Sequence, residues 1–228
     1  MLDTRVRRIL APPLDAVGAR LDDIGVPALA VTAAGWVAGV AACLTVVAHA
    51  WLPALALWLL NRLLDGLDGP VARRNGASEL GGFLDIVADF SIYAGFVVAV
   101  GVAQPDARLA CLALLSAYYV SGTAFLALSS LLERRGTTLA ADGRSLRFVG
   151  GLAEGTETVV VYALLCLLPD RAELIVWLFT LAVALTAAQR IALGVAVLRH
   201  PAVPAPTDPR PTASPPRAAT AADHQESR

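Results

Sequence analysis

From residue 27 to residue 198 the chain is a succession of apolar runs, each about the length needed to cross a bilayer, separated by a few polar or proline-bearing residues. A helix needs roughly 20 mainly apolar residues to span the hydrocarbon layer. Backbone groups in lipid must be satisfied within the spanning structure, which leaves only helices and closed barrels. The period-two alternation that marks barrel strands is missing from these runs. Six transmembrane helices are therefore expected, over about 27–49, 52–74, 80–103, 107–132, 151–169 and 172–198. Pro53, the pair Pro105-Asp106 and the pair Pro169-Asp170 fall at three of the junctions and make short turns there. Composition agrees, since 57% hydrophobic and 16% charged residues lie well outside the range of a soluble domain.

The residues before the first run, "MLDTRVRRILAPPLDAVGARLDD", are basic but lack an apolar core long enough for a secretory signal, so they read as a retained, amphipathic segment on the membrane surface. The last residues, "PAVPAPTDPRPTASPPRAATAADHQESR", hold almost no large apolar side chains and read as a disordered tail. The expected organisation is an all-α membrane protein: a juxtamembrane segment over 1–26, a six-helix domain over 27–199 and the tail over 200–228. Cys43, Cys111 and Cys166 lie singly in apolar runs without ligand spacing and read as small core residues. Arg5, Arg7, Arg8, Arg20, Arg73, Arg74, Arg134, Arg135, Arg144, Arg147 and Arg199 all fall on one side if six helices alternate, against Arg108 and Arg171 on the other. The positive-inside rule then places both termini in the cytoplasm.

One stretch departs from this pattern. "NRLLDGLDGPVARRNGASELGGFLDIVADF", residues 61–90, puts Asp65, Asp68, Asp85 and Asp89 into two consecutive apolar segments. Asp65 and Asp68 are three apart and Asp85 and Asp89 four apart, so each pair shares a helix face. The short polar link between the segments makes the two helices antiparallel neighbours, and the pairs can face each other. Four ionised carboxylates near a membrane interface repel strongly, and Arg62 and Arg73 cannot neutralise all of them. A hard divalent cation with oxygen ligands satisfies the cluster best, and two such ions about 4 Å apart suit phosphoryl transfer. Mg2+ or Mn2+ fits better than Zn2+, because no His or Cys accompanies the acids. Gly66, Gly69, Gly81 and Gly82 remove side chains beside the acidic turns, which serves either helix packing or the approach of a ligand. Arg73, one turn beyond Gly69, is placed to meet a phosphate or diphosphate.

The run Asp65-x2-Asp68-Gly69-x2-Ala72-Arg73-x7-Gly81-x3-Asp85-x3-Asp89 resembles the signature of the CDP-alcohol phosphatidyltransferases, integral membrane enzymes of phospholipid synthesis. Eight fixed positions over 25 residues agree. The family usually has eight residues between the Arg and the Gly where this chain has seven, a difference confined to the interhelical turn. The start of the first expected span, "VPALAVTAAG", also keeps Pro27, Thr32 and Gly35 of a Pro-Asn…Thr…Gly pattern that family members carry near the nucleotide, with Ala28 in place of the Asn.

The resemblance implies a phosphatidyl transfer from CDP-diacylglycerol to an alcohol acceptor with release of CMP. It implies that Asp65, Asp68, Asp85 and Asp89 hold two Mg2+ or Mn2+ ions, that Asp89 also takes the proton from the acceptor hydroxyl, and that Thr32, Gly69, Ala72, Arg73, Ser78 and Gly81 match substrate-binding positions. It implies a homodimer in a bacterial inner membrane, with the active site facing the cytoplasm and lipid, not nucleic acid, as its surroundings and partner. For the acceptor, Arg134, Arg135, Arg144 and Arg147 with "GGLAEGTET" at 150–158 lie on the same side as the acids and suit a polyol phosphate such as glycerol phosphate or inositol phosphate. The same arginines equally serve to set topology and touch anionic lipid. Glu154 and Glu157 share a face at a helix start, for acceptor hydroxyls or for the helix dipole. A cation transporter or channel is the competing expectation. It explains the acids but not Gly69, Ala72, Arg73 and Gly81 at fixed offsets.

Overall fold

The computed structural model describes residues 2–134 and 155–199, with side chains from residue 9 onward. All regular structure among the described residues is helical: α1 (Leu2–Asp23), α2 (Ala28–Val47), α3 (Trp51–Asn75), α4 (Glu79–Ala103), α5 (Arg108–Arg134), α6 (Gly155–Leu167) and α7 (Ala172–Arg199), with single 3-10 turns before α5 and α7. Arg135, Arg144, Arg147 and Glu154, and the tail expected over 200–228, lie outside the described residues.

Each expected apolar run is a helix. Four of them, α2, α4, α5 with its leading turn and α7 with its leading turn, are long and apolar enough to cross a membrane. The other two do not meet that measure, for different reasons. α3 carries Arg62, Asp65, Asp68, Arg73 and Arg74 along its length, and the described part of α6 is 13 residues long. Four of the six expected spans thus satisfy it among the described residues.

The turns follow local chemistry. After α1, Gly25 (φ +74°) lets the Gly25 N–H reach the Asp22 carbonyl at 2.8 Å and the Val26 N–H reach that of Leu21 at 2.9 Å, the paired bonds of a Schellman cap. Leu21 and Val26 then pack on the same small cluster as Val31, Leu67 and Val71. After α2 the same pair of bonds forms with His49 in the left-handed position (φ 57°), a conformation His tolerates better than most residues. The link between α3 and α4 is only residues 76–78, where Gly76 (φ +92°) reverses the chain and Ser78 caps α4 by accepting the Gly81 N–H at 3.0 Å.

α3 and α4 meet through long side chains, Trp58 on Phe96 at 5.5 Å between centroids and Arg62 on Asp89 at 2.9 Å. Their backbones seldom come close, and α2 packs along both as their common neighbour. Small residues make this possible. A Cβ on Gly35 would stand 3.3 Å from Leu64 of α3, and one on Gly39 would overlap Ile92 of α4 at 2.8 Å. On the other side α5 packs against α4 and α7, with Gly122 admitting the ring of Phe90, while α6 packs on α3. The main core lies toward one end of α3 and α4. There Phe96 and Tyr162 stack at 4.5 Å between centroids, and Trp58 meets both at 5.5 and 5.0 Å. All three are fully buried. The Trp58 indole N–H donates to the Val159 carbonyl at 3.2 Å and the Tyr162 hydroxyl to that of Tyr93 at 2.8 Å, so no polar edge of the cluster is stranded.

Candidate active site

Helical spacing sets one stripe of α3 as Trp58, Asn61-Arg62, Asp65 and Asp68, and one stripe of α4 as Phe96, Ile92-Tyr93, Asp89 and Asp85. Each stripe changes from aromatic to acidic within three turns. With α2 between them, the acidic ends converge: Asp65, Asp68 and Asp85 each present a carboxylate oxygen, all three within 4.8 Å of one another. Asp68 is buried, and the Thr32 hydroxyl of α2 donates to its Oδ2 at 2.8 Å. Thr32 therefore stands at the acidic cluster, where its side chain orients one of the acids.

Asp89 sits in the same cleft as Asp65 and Asp85, together with Thr32, Trp36 and Asn61. Its Oδ1 accepts from the Arg62 guanidinium at 2.9 Å, and Arg62 lies 3.5 Å from Asp65. The remaining motif residues fall at the ends of the two helices. Gly69 and Ala72 belong to the last turns of α3, and Ser78 and Gly81 are joined to each other as the cap of α4. Arg73 is exposed and pairs with Asp15 of α1 at 3.1 Å. Pro70, beside Gly69, cannot donate to the Gly66 carbonyl, which loosens α3 next to its acids. It packs against α1 so closely that a Cβ on Gly18 would lie 2.7 Å from the Pro70 Cβ.

The donor set fits a hard divalent ion. It is all carboxylate oxygen, drawn from two helices, and the nearest guanidinium makes its short contact to the fourth acid. Three carboxylates this close and partly withdrawn from water repel one another unless a cation joins them. One cation escaped the sequence reading as a site component, and a second stands on α7. Arg62 was legible only as a nearby charge, although a guanidinium inside a membrane-grade segment is itself a signal. Arg190, half-buried on α7, donates to the Ser121 hydroxyl of α5 at 2.9 Å and stands over the Phe125 ring at 5.1 Å. Ser121 neighbours Gly122, which packs on Phe90 of α4.

Comparison with known proteins places this geometry. The structure resembles that of phosphatidylinositol phosphate synthase (PgsA1) from Mycobacterium tuberculosis, solved with CDP-DAG bound, with a TM-score of 0.66 over 79% of this chain and 92% of that one at 19% identity. At that identity the likeness speaks for the fold. The inner membrane protein YnjF of Escherichia coli strain K12 is 40% identical over 175 residues, which cover 74% of this chain and 83% of that protein. The family model for CDP-alcohol phosphatidyltransferases matches residues 26–188, a span that holds the acidic cluster and the other five positions of the sequence motif. With that match over most of the chain, the protein belongs to the CDP-alcohol phosphatidyltransferase family, membrane enzymes that transfer phosphatidyl groups.

Proposed function

We propose that the protein transfers the phosphatidyl group of CDP-diacylglycerol to the hydroxyl of a polyol phosphate, such as glycerol phosphate or inositol phosphate, and releases CMP. The observation that carries the reading is the meeting of Asp65, Asp68 and Asp85 within 4.8 Å at the acidic ends of α3 and α4. Family membership sets the transporter reading aside, because it accounts for Gly69, Ala72, Arg73 and Gly81 as well as for the acids.

In this reading Asp65, Asp68, Asp85 and Asp89 would hold two Mg2+ or Mn2+ ions, which supply neutralisation of the diphosphate charge and of the departing CMP. Thr32 fixes the orientation of Asp68. Gly69 and Ala72 leave the surface of α3 open for the nucleotide, Arg73 exchanges its exposed pairing with Asp15 for the diphosphate, and Ser78 and Gly81 shape the opposite lip. The acceptor oxygen bonds to the phosphorus that carries diacylglycerol, the bond from that phosphorus to the CMP oxygen breaks, and the hydroxyl proton passes to Asp89. For the acceptor phosphate, Arg190 of α7 and Arg134 at the end of α5 are the described cations that suit it. The clustering of Arg73, Arg74, Arg134 and Arg199 at the C-terminal ends of α3, α5 and α7 supports an active site on the cytoplasmic face, with α1 lying on that membrane surface. The bacterial inner membrane, a homodimer and the domain limits 1–26 and 27–199 complete the proposal.

The test is release of CMP from CDP-diacylglycerol by purified protein, with Mg2+ or Mn2+ and a panel of glycerol 3-phosphate, inositol 1-phosphate, inositol, serine and glycerol. Metal-dependent release with a phosphorylated polyol is expected. Release only with an unphosphorylated alcohol overturns the acceptor, and no release from folded protein with any acceptor overturns the activity.

A further inference from the structure

Arg62 is held from several sides. Its Nη2 donates to Asp89 at 2.9 Å and its Nη1 to the Tyr93 hydroxyl at 2.8 Å, while Nε donates to the Asn61 side chain at 2.8 Å. Asn61 is fixed in turn by donating to the Gly35 carbonyl of α2 at 2.8 Å. The guanidinium lies over the rings of Trp58 and Tyr93, at 4.8 and 5.0 Å from their centroids, and its side chain is 9% exposed. A guanidinium with this many fixed neighbours is pre-organised and does not leave easily. Its charge is not shared evenly among the acids. It meets Asp89 at hydrogen-bond distance and Asp65 at 3.5 Å, while Asp68 is oriented by Thr32 and gathers with Asp65 and Asp85.

We infer that Arg62 is a positioning residue that acts as a built-in cation at Asp89 and makes the two metal positions unequal. The ion joined by Asp65, Asp68 and Asp85 meets three carboxylates that repel each other. An ion drawing on Asp89 meets a carboxylate whose charge a fixed guanidinium already balances, and it gains less. Arg62 thereby ties α3 to α4 at the acidic end, and the site fills in order: the Asp65-Asp68-Asp85 position first, the Asp89 side afterwards. This inference rests on the reading of the acidic cluster as a divalent-ion site.

Mn2+ binding to the detergent-solubilised full chain, without CDP-diacylglycerol, separates the possibilities. Electron paramagnetic resonance counts free ion and isothermal titration gives the affinities. In the wild type, one ion is expected to bind at least about tenfold more tightly than any second. Arg62→Gln is expected to tighten the second ion about tenfold while changing the first by less than about threefold. Arg62→Lys, which keeps the charge, is expected to retain the inequality. Because Gln also removes the tie between helices, Arg62→Gln should melt earlier than wild type in EDTA and recover in Mn2+. Two ions of equal affinity in the wild type, or a second affinity unmoved by Arg62→Gln, overturns the role of Arg62 and leaves the metal reading standing. A purely structural role would weaken both ions together, which also overturns it. Absence of Mn2+ binding by folded wild type removes the metal reading itself, and this inference with it.

Discussion

The two ends of the α3–α4 pair are built from the same helices and held by opposite physics. Around Trp58, Phe96 and Tyr162 the elements meet ring to ring, with every large side chain buried and each indole or phenol edge bonded to a carbonyl. Two to three turns away the same stripes carry Asp65, Asp68, Asp85 and Asp89, and there α3 and α4 meet through carboxylates and the Arg62 guanidinium. Dispersion and area burial hold the first end whatever the ionic conditions. The second end is a balance of charges. The lesson is that the aromatic end is the fixed jaw, which positions the helices well enough for the acidic end to keep its carboxylates together.

The sharpest way to break this comparison is at the acids. Asp85→Asn removes a carboxylate from the cluster and is expected to lower CMP release by about 10^3-fold or more. Removing one of three repelling charges should leave the melting temperature in EDTA unchanged or raised. A variant that instead melted much earlier in EDTA would mean that the acidic end is as structural as the aromatic one.

The aromatic end should answer in the opposite way. Trp58→Ala leaves a ring-sized void and removes the indole bond to the Val159 carbonyl, at a cost of about 3–5 kcal/mol in thermal or denaturant unfolding. Below the melting temperature, metal-dependent activity should survive within about tenfold, because the acids keep their own anchors in Thr32 and Arg62. Equal losses of stability and Mn2+ affinity would show that the two ends are one cooperative unit.

The smallest effect is expected at Asp15. Its pair with Arg73 is exposed on both sides, so Asp15→Ala should cost less than about 0.5 kcal/mol of stability. If Arg73 meets the diphosphate, the variant should lower the KM for CDP-diacylglycerol slightly and leave kcat alone. A raised KM would instead make Asp15 part of the donor site.

Much of this was legible in the chain. The helix limits follow from apolar length and from Pro and Gly at the junctions, and each of the six expected runs coincides with a helix to within a few residues at either end. The identity of the acids was legible too, because spacings of three and four fix a common helix face. What spacing leaves open is which face of which other helix each stripe meets. That Thr32 orients Asp68, that Arg62 reaches Asp89 across 27 positions, and that Arg73 turns to α1 follow from close helix crossings at Gly35, Gly39 and Gly18. The acids also set α3 apart from its neighbours: it is apolar on average, but its charges exclude it from the measure that α2, α4, α5 and α7 satisfy.

The sequence by itself determined the class of molecule, because apolar helices of membrane length admit few other structures and eight fixed positions across 25 residues admit few other chemistries. Tertiary structure alone decided the asymmetry of the site. A carboxylate's neighbours across helices depend on how closely backbones can approach, and the small residues of α2 set that approach so that three acids meet one another while the fourth meets Arg62.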